Sequence, residues 1–524
     1  MEGEPDRILA ALREPRSYPR GADRVELIET HISRVFLAGD YAYKVKKPVA
    51  LPFLDFSTLE ARRFFCEEEL RLNRRTAPGL YLGVVPVVET PGGVRVGGKG
   101  EVVEYALEMR RFPQEALADS LARRGELGNG RIDAIAAAVA AFHAGIPSAR
   151  DGEYGSPERV VATALASFAQ LDVLVSDAAE KKALGELYAW TLREGERLRD
   201  AFAARKRGSF VRECHGDLHL GNIAFLDGRP VPFDCIEFDP GLRWIDVMNE
   251  VAFLVMDLLE HGLAAGAWRF LNAYLEATGD YAGARVLGYY LVYRAMVRAL
   301  VACIRERQPG GAAAQGRAHR EFRTYMALAR SLAAPGKPAL VLMHGLSGSG
   351  KTTVSQAMLE QLGAVRVRSD VERKRLHGLA GGARTHAQIQ GGIYTADSTR
   401  LTYEQLALAA SCVVESGYRV IVDATFLRRG EREAFRALAR DSGAAFVIAS
   451  CEAPEATLHE RVVRREAAQS DVSEAGAAVL ESQLAAREPL APEELGCAVL
   501  IDTDAGEAAI AAATAAIATR LAAA

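Results

Sequence analysis

Two adjoining stretches indicate the fold of the first part of this 524-residue chain: Glu213-Cys-His-Gly-Asp-Leu-His-Leu-Gly-Asn222 and Ile223-Ala-Phe-Leu-Asp-Gly-Arg-Pro-Val-Pro-Phe-Asp234. In the second stretch, Asp227-Gly228 separates two apolar runs, which predicts a hairpin with a tight turn. Folding the chain there brings Asn222 close to Asp234. An amide oxygen and a carboxylate suit a hard cation such as Mg²⁺, so the two stretches predict a magnesium site.

Asp217 and Asn222 stand five positions apart, which is the spacing of the pair in the catalytic loop H-R-D-x-x-x-x-N. In that loop the aspartate accepts the proton of a substrate hydroxyl and the asparagine holds a magnesium ion. A polar loop that only closes a hairpin is the alternative, and it would be preferred for D-x-x-x-x-N alone. The added presence of His215, Asp234 and the hairpin register reverses that preference.

The motif H-G-D-L-H-L-G-N with a following aspartate resembles that of the aminoglycoside phosphotransferase family, the small-molecule branch of the protein-kinase-like fold. The resemblance implies an α+β bilobal domain over residues 1–333 that uses ATP and Mg²⁺. It also implies Asp217 as the catalytic base, Asn222 and Asp234 as metal ligands, and His215 as a support beneath the loop. His219 has no assigned role.

Two lysines upstream, Lys44 and Lys46, share one face of a predicted strand that follows a turn at Gly39-Asp40. The strand is similar to the V-A-I-K strand of kinases, whose lysine neutralises the ATP phosphates; Lys44 fits that pattern best and Lys46 second. A solvated basic strand edge is the alternative.

A capping box that begins at Ser57 predicts a helix to about residue 75, where the kinase-like fold has its αC helix. Of three consecutive glutamates in this helix, we choose Glu69 as the partner of the strand lysine. By the same resemblance, the backbone of residues 108–110 contacts adenine. After the hairpin, the acidic residues Glu237 and Asp239 could line an acceptor pocket.

A second domain is predicted to begin at residue 339, after a Pro- and Gly-containing linker at residues 334–338. Gly345-Leu-Ser-Gly-Ser-Gly-Lys-Thr352 matches G-x-x-x-x-G-K-[ST], with an apolar strand before it and a helical pattern after it. A Gly/Ser linker is the alternative, and the strand context argues against it. The candidate nucleotide-binding residues are Gly345, Ser347, Gly348, Ser349, Gly350, Lys351, Thr352 and Thr353. Lys351 would reach the β- and γ-phosphates and Thr352 would reach Mg²⁺.

Four further strands are predicted at residues 364–368, 418–422, 445–450 and 498–501, and helical stretches separate them. This alternation indicates an α/β P-loop domain with a parallel sheet over residues 339–524. Asp370 and Asp423 follow two of the strands, at the sheet edge where such folds bind ligands. One could orient the acceptor hydroxyl, for which we choose Asp370, and Asp423 could assist the metal.

Ser369-Asp370-x-x-Arg373 resembles the acceptor-binding corner of small P-loop kinases, including gluconate kinase, chloramphenicol phosphotransferase and zeta-toxin-like kinases. The resemblance implies that Arg373 contacts the acceptor. It also implies Arg461 and Arg465 as lid arginines, with Arg464 as a competing choice and an exposed solubilising helix face as the alternative.

Bulk composition favours small substrates, because a formal net charge of −4 provides no global field for nucleic acid or acidic membranes. Seven scattered cysteines without a C-x-x-C pair predict reduced thiols rather than disulfides or a zinc site. We see neither a signal peptide nor a membrane span, so the cytoplasm is the expected compartment.

Together the motifs predict a bifunctional ATP-dependent phosphotransferase, in which each domain transfers the γ-phosphoryl group to a hydroxyl of a small molecule. Three alternatives stay open: a C-terminal polynucleotide 5′-kinase, one half acting as a non-catalytic ATP-binding regulator, and an antibiotic-resistance enzyme. The sequence does not identify either acceptor, the preference for ATP over GTP, or the oligomeric state.

Overall fold

The computed structural model describes residues 4–30, 32–51, 54–308, 311–379, 395–468 and 476–523. Contacts divide the chain into two compact units. Unit 1 comprises Met1–Ala134, Ala141–Arg159 and Ala203–Asp257, and unit 2 comprises Ile135–Ala140, Val160–Phe202 and Leu258–Ala524. Unit 2 therefore groups the P-loop region with helices that precede residue 334, namely Ala178–Arg197, Ala264–Thr278, Ala284–Glu306 and Ala312–Leu332. The predicted linker at residues 334–338 stays a prediction.

The elements before the predicted linker are mainly strands up to residue 110 and mainly helices after it. They are α1 (Glu4–Leu12), β1 (Val25–Glu29), β2 (Ser33–Ala38), β3 (Tyr41–Lys46), β4 (Ala50–Leu51), β5 (Leu54–Asp55), α2 (Leu59–Asn73), β6 (Tyr81–Thr90), β7 (Gly93–Val96), β8 (Glu101–Arg110), α3 (Ala118–Arg123), α4 (Asn129–Gly145), α5 (Pro157–Leu174), α6 (Ala178–Arg197), α7 (Arg199–Arg207), β9 (Val211–Glu213), β10 (Ile223–Leu226), β11 (Arg229–Pro232), α8 (Pro240–Arg243), β12 (Trp244–Asp246), α9 (Val247–Glu260), α10 (Ala264–Thr278), α11 (Ala284–Glu306) and α12 (Ala312–Leu332).

After the predicted linker, strands and helices alternate as the sequence predicts. The elements are β13 (Ala339–His344), α13 (Lys351–Leu362), β14 (Ala364–Arg368), α14 (Ser369–Leu376), α15 (Ala396–Glu415), β15 (Arg419–Asp423), α16 (Arg429–Asp441), β16 (Ala445–Glu452), α17 (Glu455–Ala468), α18 (Ala477–Ala486), α19 (Pro492–Leu495), β17 (Ala498–Asp502) and α20 (Glu507–Ala523).

Unit 1 is built on a six-stranded sheet in the order β1-β2-β3-β8-β6-β7, in which neighbouring strands are antiparallel. Strands β2 and β3 flank Gly39-Asp40, which confirms the predicted turn. Helix α2 packs on β6 and β8. Its N-cap is Thr58, whose hydroxyl accepts from the Ala61 N–H at 3.1 Å, so the predicted cap at Ser57 is one residue too early.

The predicted hairpin after Asn222 is confirmed, because β10 and β11 pair from Ile223 with Pro232 to Leu226 with Arg229. Its two turn residues both have positive φ, 49° at Asp227 and 75° at Gly228. A two-residue turn of this hand matches the twist of the flanking strands, and Asp-Gly tolerates it at little cost. The local sequence alone therefore sets the register that brings Asn222 back towards Phe233, whose N–H donates to the Asn222 carbonyl at 3.0 Å.

Unit 2 contains a five-stranded parallel sheet in the order β14-β15-β13-β16-β17, as predicted for the P-loop region. Helices α13 and α20 share a hydrophobic core with one face of this sheet, through residues such as Val341, Met343, Val354 and Ile517. Among the described residues, the stretch Tyr281–Glu306 is long and apolar enough to cross a membrane, yet 72% of its apolar window is buried inside the protein. It packs as a core helix against α12.

Candidate active sites

The loop between β9 and β10 carries the predicted base, and a buried carboxylate on α9 anchors it. Glu250 accepts hydrogen bonds from the N–H of His215 at 3.1 Å and of Gly216 at 2.7 Å, and it bonds Nε2 of His143 at 2.9 Å. Burial alone would raise the pKa of Glu250, but the His143 hydrogen bond and these backbone donors outweigh it and lower the pKa to about 2. Glu250 is therefore a charged anchor beneath the loop.

His215 connects this loop to the β10–β11 hairpin. Its Nε2 lies 2.8 Å from the carbonyl oxygen of Phe233, and its Nδ1 accepts from the N–H of Asp217 at 3.3 Å. Burial lowers the pKa of His215, so the ring is neutral, with its proton on Nε2 facing the Phe233 carbonyl. This position agrees with the supporting role implied by the resemblance.

The structure brings the predicted base and metal ligands together at the mouth of the hairpin. The amide nitrogen of Asn222 donates to Oδ2 of Asp217 at 3.1 Å, so the amide oxygen is the atom that could face a cation. Asp217 and Asp234 keep 38% and 44% of their side chains exposed, which leaves both carboxylates accessible to a substrate. An amide oxygen and accessible carboxylates form a hard donor set that fits Mg²⁺. The individual roles stay predictions.

Both predicted lysines contact the chosen glutamate, so Lys44 and Lys46 belong to one cluster. Glu69 is fully buried, with Oε1 at 2.7 Å from the Lys44 ammonium and Oε2 at 2.8 Å from that of Lys46. Lys44 also lies 2.5 Å from Oδ1 of Asp234. Burial opposes the charge of both lysines, but the surrounding carboxylates outweigh it and raise the pKa of each above its ordinary value. The cluster is therefore a pair of ammonium groups, of which Lys44 lies beside the predicted metal ligand Asp234.

Two residues predicted to line the acceptor pocket make structural contacts, and their role towards an acceptor stays a prediction. Glu237 is buried and its carboxylate pairs with Lys46, so it belongs to the lysine cluster. Asp239 caps α8, where its side chain accepts from the N–H of Gly241 at 2.7 Å. The sequence missed these contacts because both depend on where the chain turns after the hairpin.

The phosphate loop of unit 2 has a backbone conformation that requires glycine at several positions. Gly348 and Gly350 have φ of 81° and 78°, values that favour glycine. A Cβ on Gly348 would lie 2.8 Å from the carbonyl oxygen of Leu458, and one on Gly345 would lie 2.7 Å from Oγ of the buried Ser349. Lys351 donates to the carbonyls of Gly345 and Leu346 at 2.9 and 2.8 Å. The loop is thus closed around its own lysine.

A cavity of about 1320 Å³ opens beside this loop. Of the predicted residues, those that line it are Ser347, Gly348, Gly350, Lys351, Thr352, Thr353, Asp370, Arg373, Asp423, Arg461 and Arg465. Gly345 and the buried Ser349 belong to the loop but do not line the cavity. Arg464, the competing choice for the lid, has a side chain that is 70% exposed and lies 4.0 Å from Glu460. The geometry therefore favours the pair chosen from the sequence.

A serine hydroxyl holds one of the two predicted acidic residues of the cavity in place. Asp423 is the last residue of β15, and its Oδ2 accepts from the hydroxyl of Ser355 at 2.9 Å. Asp370 lies in the first turn of α14. Arg373, on the same helix, donates to Oγ1 of Thr399 at 3.1 Å. With the hydroxyl of Thr352, the Asp423 carboxylate provides oxygen ligands of the kind that Mg²⁺ prefers.

Arg368 and Gln483 are among the polar side chains of this cavity that sequence reasoning missed. Oε1 of Gln483 accepts from the N–H of Ser347 at 2.8 Å, within the phosphate loop. Arg368 ends β14, which also carries the buried Arg366. Two arginines in a buried strand are a usable signal, because a buried charge requires a partner.

Sequence comparisons place both halves among phosphotransferases. A sequence model of the phosphotransferase enzyme family (APH) matches residues 65–287, and an AAA domain model (AAA_33) matches residues 340–490. The uncharacterized protein Rv2004c of Mycobacterium tuberculosis (strain ATCC 25618 / H37Rv) is 31% identical over 473 residues, which cover 88% of this chain and 90% of the relative. The uncharacterized protein Mb2027c of Mycobacterium bovis matches to the same extent.

Solved structures align with parts of the chain. A gluconokinase from Sinorhizobium meliloti 1021 is 22% identical, with 36% of this chain and 94% of that chain covered and a TM-score of 0.26. A choline/ethanolamine kinase family protein from Mesorhizobium loti is 15% identical, with 62% of this chain and 98% of that chain covered and a TM-score of 0.35. The matches to the two family models confirm that the chain resembles an aminoglycoside phosphotransferase-like domain joined to a P-loop kinase domain. The chain belongs to the same family as the mycobacterial proteins and is an ATP-dependent phosphotransferase, with an aminoglycoside phosphotransferase-like domain followed by a P-loop kinase domain.

Proposed function

We propose that this enzyme is bifunctional and that each domain transfers the γ-phosphoryl group of ATP to a hydroxyl of a small molecule. The observation that carries the proposal is the presence of two separate sets of phosphate-directed side chains. One set places the Lys44 ammonium beside Asp234 and the Asn222 amide on Asp217, and the other places Lys351 in a phosphate loop that lines one cavity with Asp423. Phosphoryl transfer depends mainly on positioning and charge neutralisation, and each set offers both.

In the first site, the Asp217 carboxylate is the group that accepts the proton of the acceptor hydroxyl. It is accessible, and the hydrogen bond from Asn222 fixes its orientation. Lys44 and Lys46 would contribute positive charge towards the ATP phosphates. Asn222 and Asp234 would hold Mg²⁺, which when bound neutralises phosphate charge.

In the second site, the backbone N–H groups of the phosphate loop and Lys351 would bind the β- and γ-phosphates. Thr352 and Asp423 would hold the metal, and Asp370 would orient the acceptor hydroxyl. The cavity exceeds the usual range of roughly 300 to 1,000 Å³ for a single ligand, which supports space for a nucleotide together with an acceptor. Arg461 and Arg465 on α17 line the same cavity and could cover the phosphates.

The proposal includes the cytoplasm as the place of action and Mg²⁺ with ATP as cofactors. All seven cysteines are free thiols in the structure, which a reducing compartment permits. Small molecules are the proposed acceptors, and binding to nucleic acid is not expected from the net charge of −4.

The test uses the full chain with labelled ATP and a panel of sugars, nucleosides, aminoglycosides and oligonucleotides. Asp217→Asn and Lys351→Ala should each remove a different set of phosphorylated products. Asp227→Asn is the matched control, because asparagine tolerates the positive φ of this turn position. One variant that abolishes every product would indicate a single catalytic site and overturn the proposal. Salt-sensitive phosphorylation of oligonucleotides would instead identify a polynucleotide kinase.

A further inference from the structure

Helix α10 lies against the edge strand of the parallel sheet in unit 2. Nδ2 of Asn272 donates to the carbonyl of Ala364 at 2.8 Å, and its Oδ1 accepts from the N–H of Arg366 at 2.6 Å. The side chain therefore pairs with β14 as a neighbouring strand would. On the same helix, Trp268 packs against the hydrophobic core of the P-loop region. An edge strand covered in this way exposes fewer unpaired groups.

One turn after Asn272, Glu276 pairs with both arginines of β14. Its Oε1 lies 2.8 Å from Nη1 of Arg368, and its Oε2 lies 3.3 Å from Nη2 of Arg366. The two guanidinium side chains are only 9% and 7% exposed. A buried charge is stable only when it is paired, so Glu276 supplies the carboxylate that these arginines need.

Arg368 lines the cavity of the P-loop site, and Arg366 connects to it through hydrogen bonds. Arg366 donates to Oγ of Ser355 at 3.2 Å, and that hydroxyl donates to Oδ2 of Asp423 at 2.9 Å. A continuous path of charged hydrogen bonds thus leads from Glu276 to the predicted metal ligand.

We propose that helix α10 supports the P-loop catalytic site through Glu276. This glutamate is a positioning residue for Arg368 and, through Arg366 and Ser355, for Asp423. The helix lies before the predicted linker and within residues 65–287, which match the phosphotransferase model, whereas the P-loop model matches only residues 340–490. The second active site therefore depends on a structural element from the other domain. The kinetic consequences of this inference rest on the proposed function, because they require the P-loop domain to be a catalyst.

The kinetic test compares two substitutions on one face of α10 in the full chain. Glu276→Gln removes the charge that holds both arginines, and a loss of about 10- to 100-fold in the turnover of the P-loop reaction is expected, as for other residues that orient a ligand-binding shell. The matched control is Arg269→Gln. It breaks the 2.8 Å ion pair between Arg269, on the same helix as Glu276, and Glu360 on α13, but neither Arg269 nor Glu360 lines the cavity.

A double substitution separates positioning from general loss of structure. If Glu276 acts partly through Arg368, the variant Glu276→Gln/Arg368→Ala should lose less turnover than the product of the two single losses, because the remaining effect of Glu276 passes only through Arg366. Multiplicative losses would overturn the inference. Equal losses in Glu276→Gln and Arg269→Gln would also overturn it, since they would reflect only a weakened helix contact.

Hydrogen exchange of the full chain provides a readout that does not require catalysis. Amides of residues 364–376 should exchange faster in Glu276→Gln than in Arg269→Gln or the unsubstituted protein. If this difference appears while no P-loop turnover is found with any acceptor, the proposed function fails but the structural coupling stands. Unchanged exchange in Glu276→Gln would overturn the coupling itself.

Discussion

The substitution Glu250→Gln tests whether a buried charge holds the catalytic loop of the first domain. The carboxylate accepts from two backbone N–H groups of the loop and bonds His143, and it has no exposure to solvent. Glutamine has nearly the same shape, but it offers one acceptor and one donor. Its NH₂ group would therefore face one of the three groups that now bond the carboxylate.

The size of the effect follows from the pKa of Glu250, which lies at about 2 in the folded protein against an ordinary value of 4.5. At about 1.4 kcal/mol per pH unit, the charged form contributes about 3 kcal/mol to stability. A lowered pKa means that this contribution is fully present above about pH 5 and is lost as the pH falls towards 2. The difference between the two proteins should therefore be largest at neutral pH and shrink in acid.

The assay is urea unfolding between pH 7 and pH 3, followed by hydrogen exchange of peptides that cover residues 211–234. Glu67→Gln is the matched control, because the exposed Glu67 pairs only with the exposed Arg63 at 2.9 Å in the described contacts. Its effect should stay within about 0.5 kcal/mol. A loss of the same small size in Glu250→Gln, or a loss independent of pH, would refute the argument that the charge anchors the loop.

Three further outcomes are expected. Asp217→Asn should slow phosphoryl transfer by the first domain by roughly 10² to 10⁴ while nucleotide binding persists, because a general base is removed without loss of the phosphate contacts; unchanged turnover would contradict it. Lys351→Ala should remove only the reaction of the second domain, and a simultaneous loss of the first reaction at saturating substrate would show that the two sites are not independent. The Cys66 thiol is buried, which raises its pKa to about 12, so iodoacetamide at pH 8 should label it only after denaturation; rapid labelling of the native protein would contradict this.

Predictions that depend on a few neighbouring residues agree closely with the structure. Asp227-Gly228 specifies its turn because both positions need positive φ, and the strands on either side then have only one register. The strand over residues 339–344 and the phosphate loop after it are likewise local patterns, and both elements begin and end as expected. The predicted N-cap of helix α2 lies one residue before the observed one, because two adjacent hydroxyl residues, Ser57 and Thr58, can each serve as a cap.

The lysine pair shows where local information ends. The sequence places Lys44 and Lys46 on one face of a strand, but it cannot say which of them meets a glutamate on a separate helix. In the structure both lysines contact Glu69, because each oxygen of its carboxylate pairs with one ammonium group. The repeat of two residues in a strand and of 3.6 residues in a helix determines which residues share a face. Which other element contacts that face depends on tertiary packing.

The sequence by itself determined the two kinase-like domains, their order, and most of the side chains that gather at each site, because catalytic motifs keep their residues within a few positions of one another. Only the tertiary structure revealed the residues that hold those side chains in place. Glu250 lies 35 residues from the loop it anchors, and Glu276 lies 92 residues from Arg368. No spacing rule covers such distances, because the chain brings these groups together only when whole helices pack and buried charges must find partners.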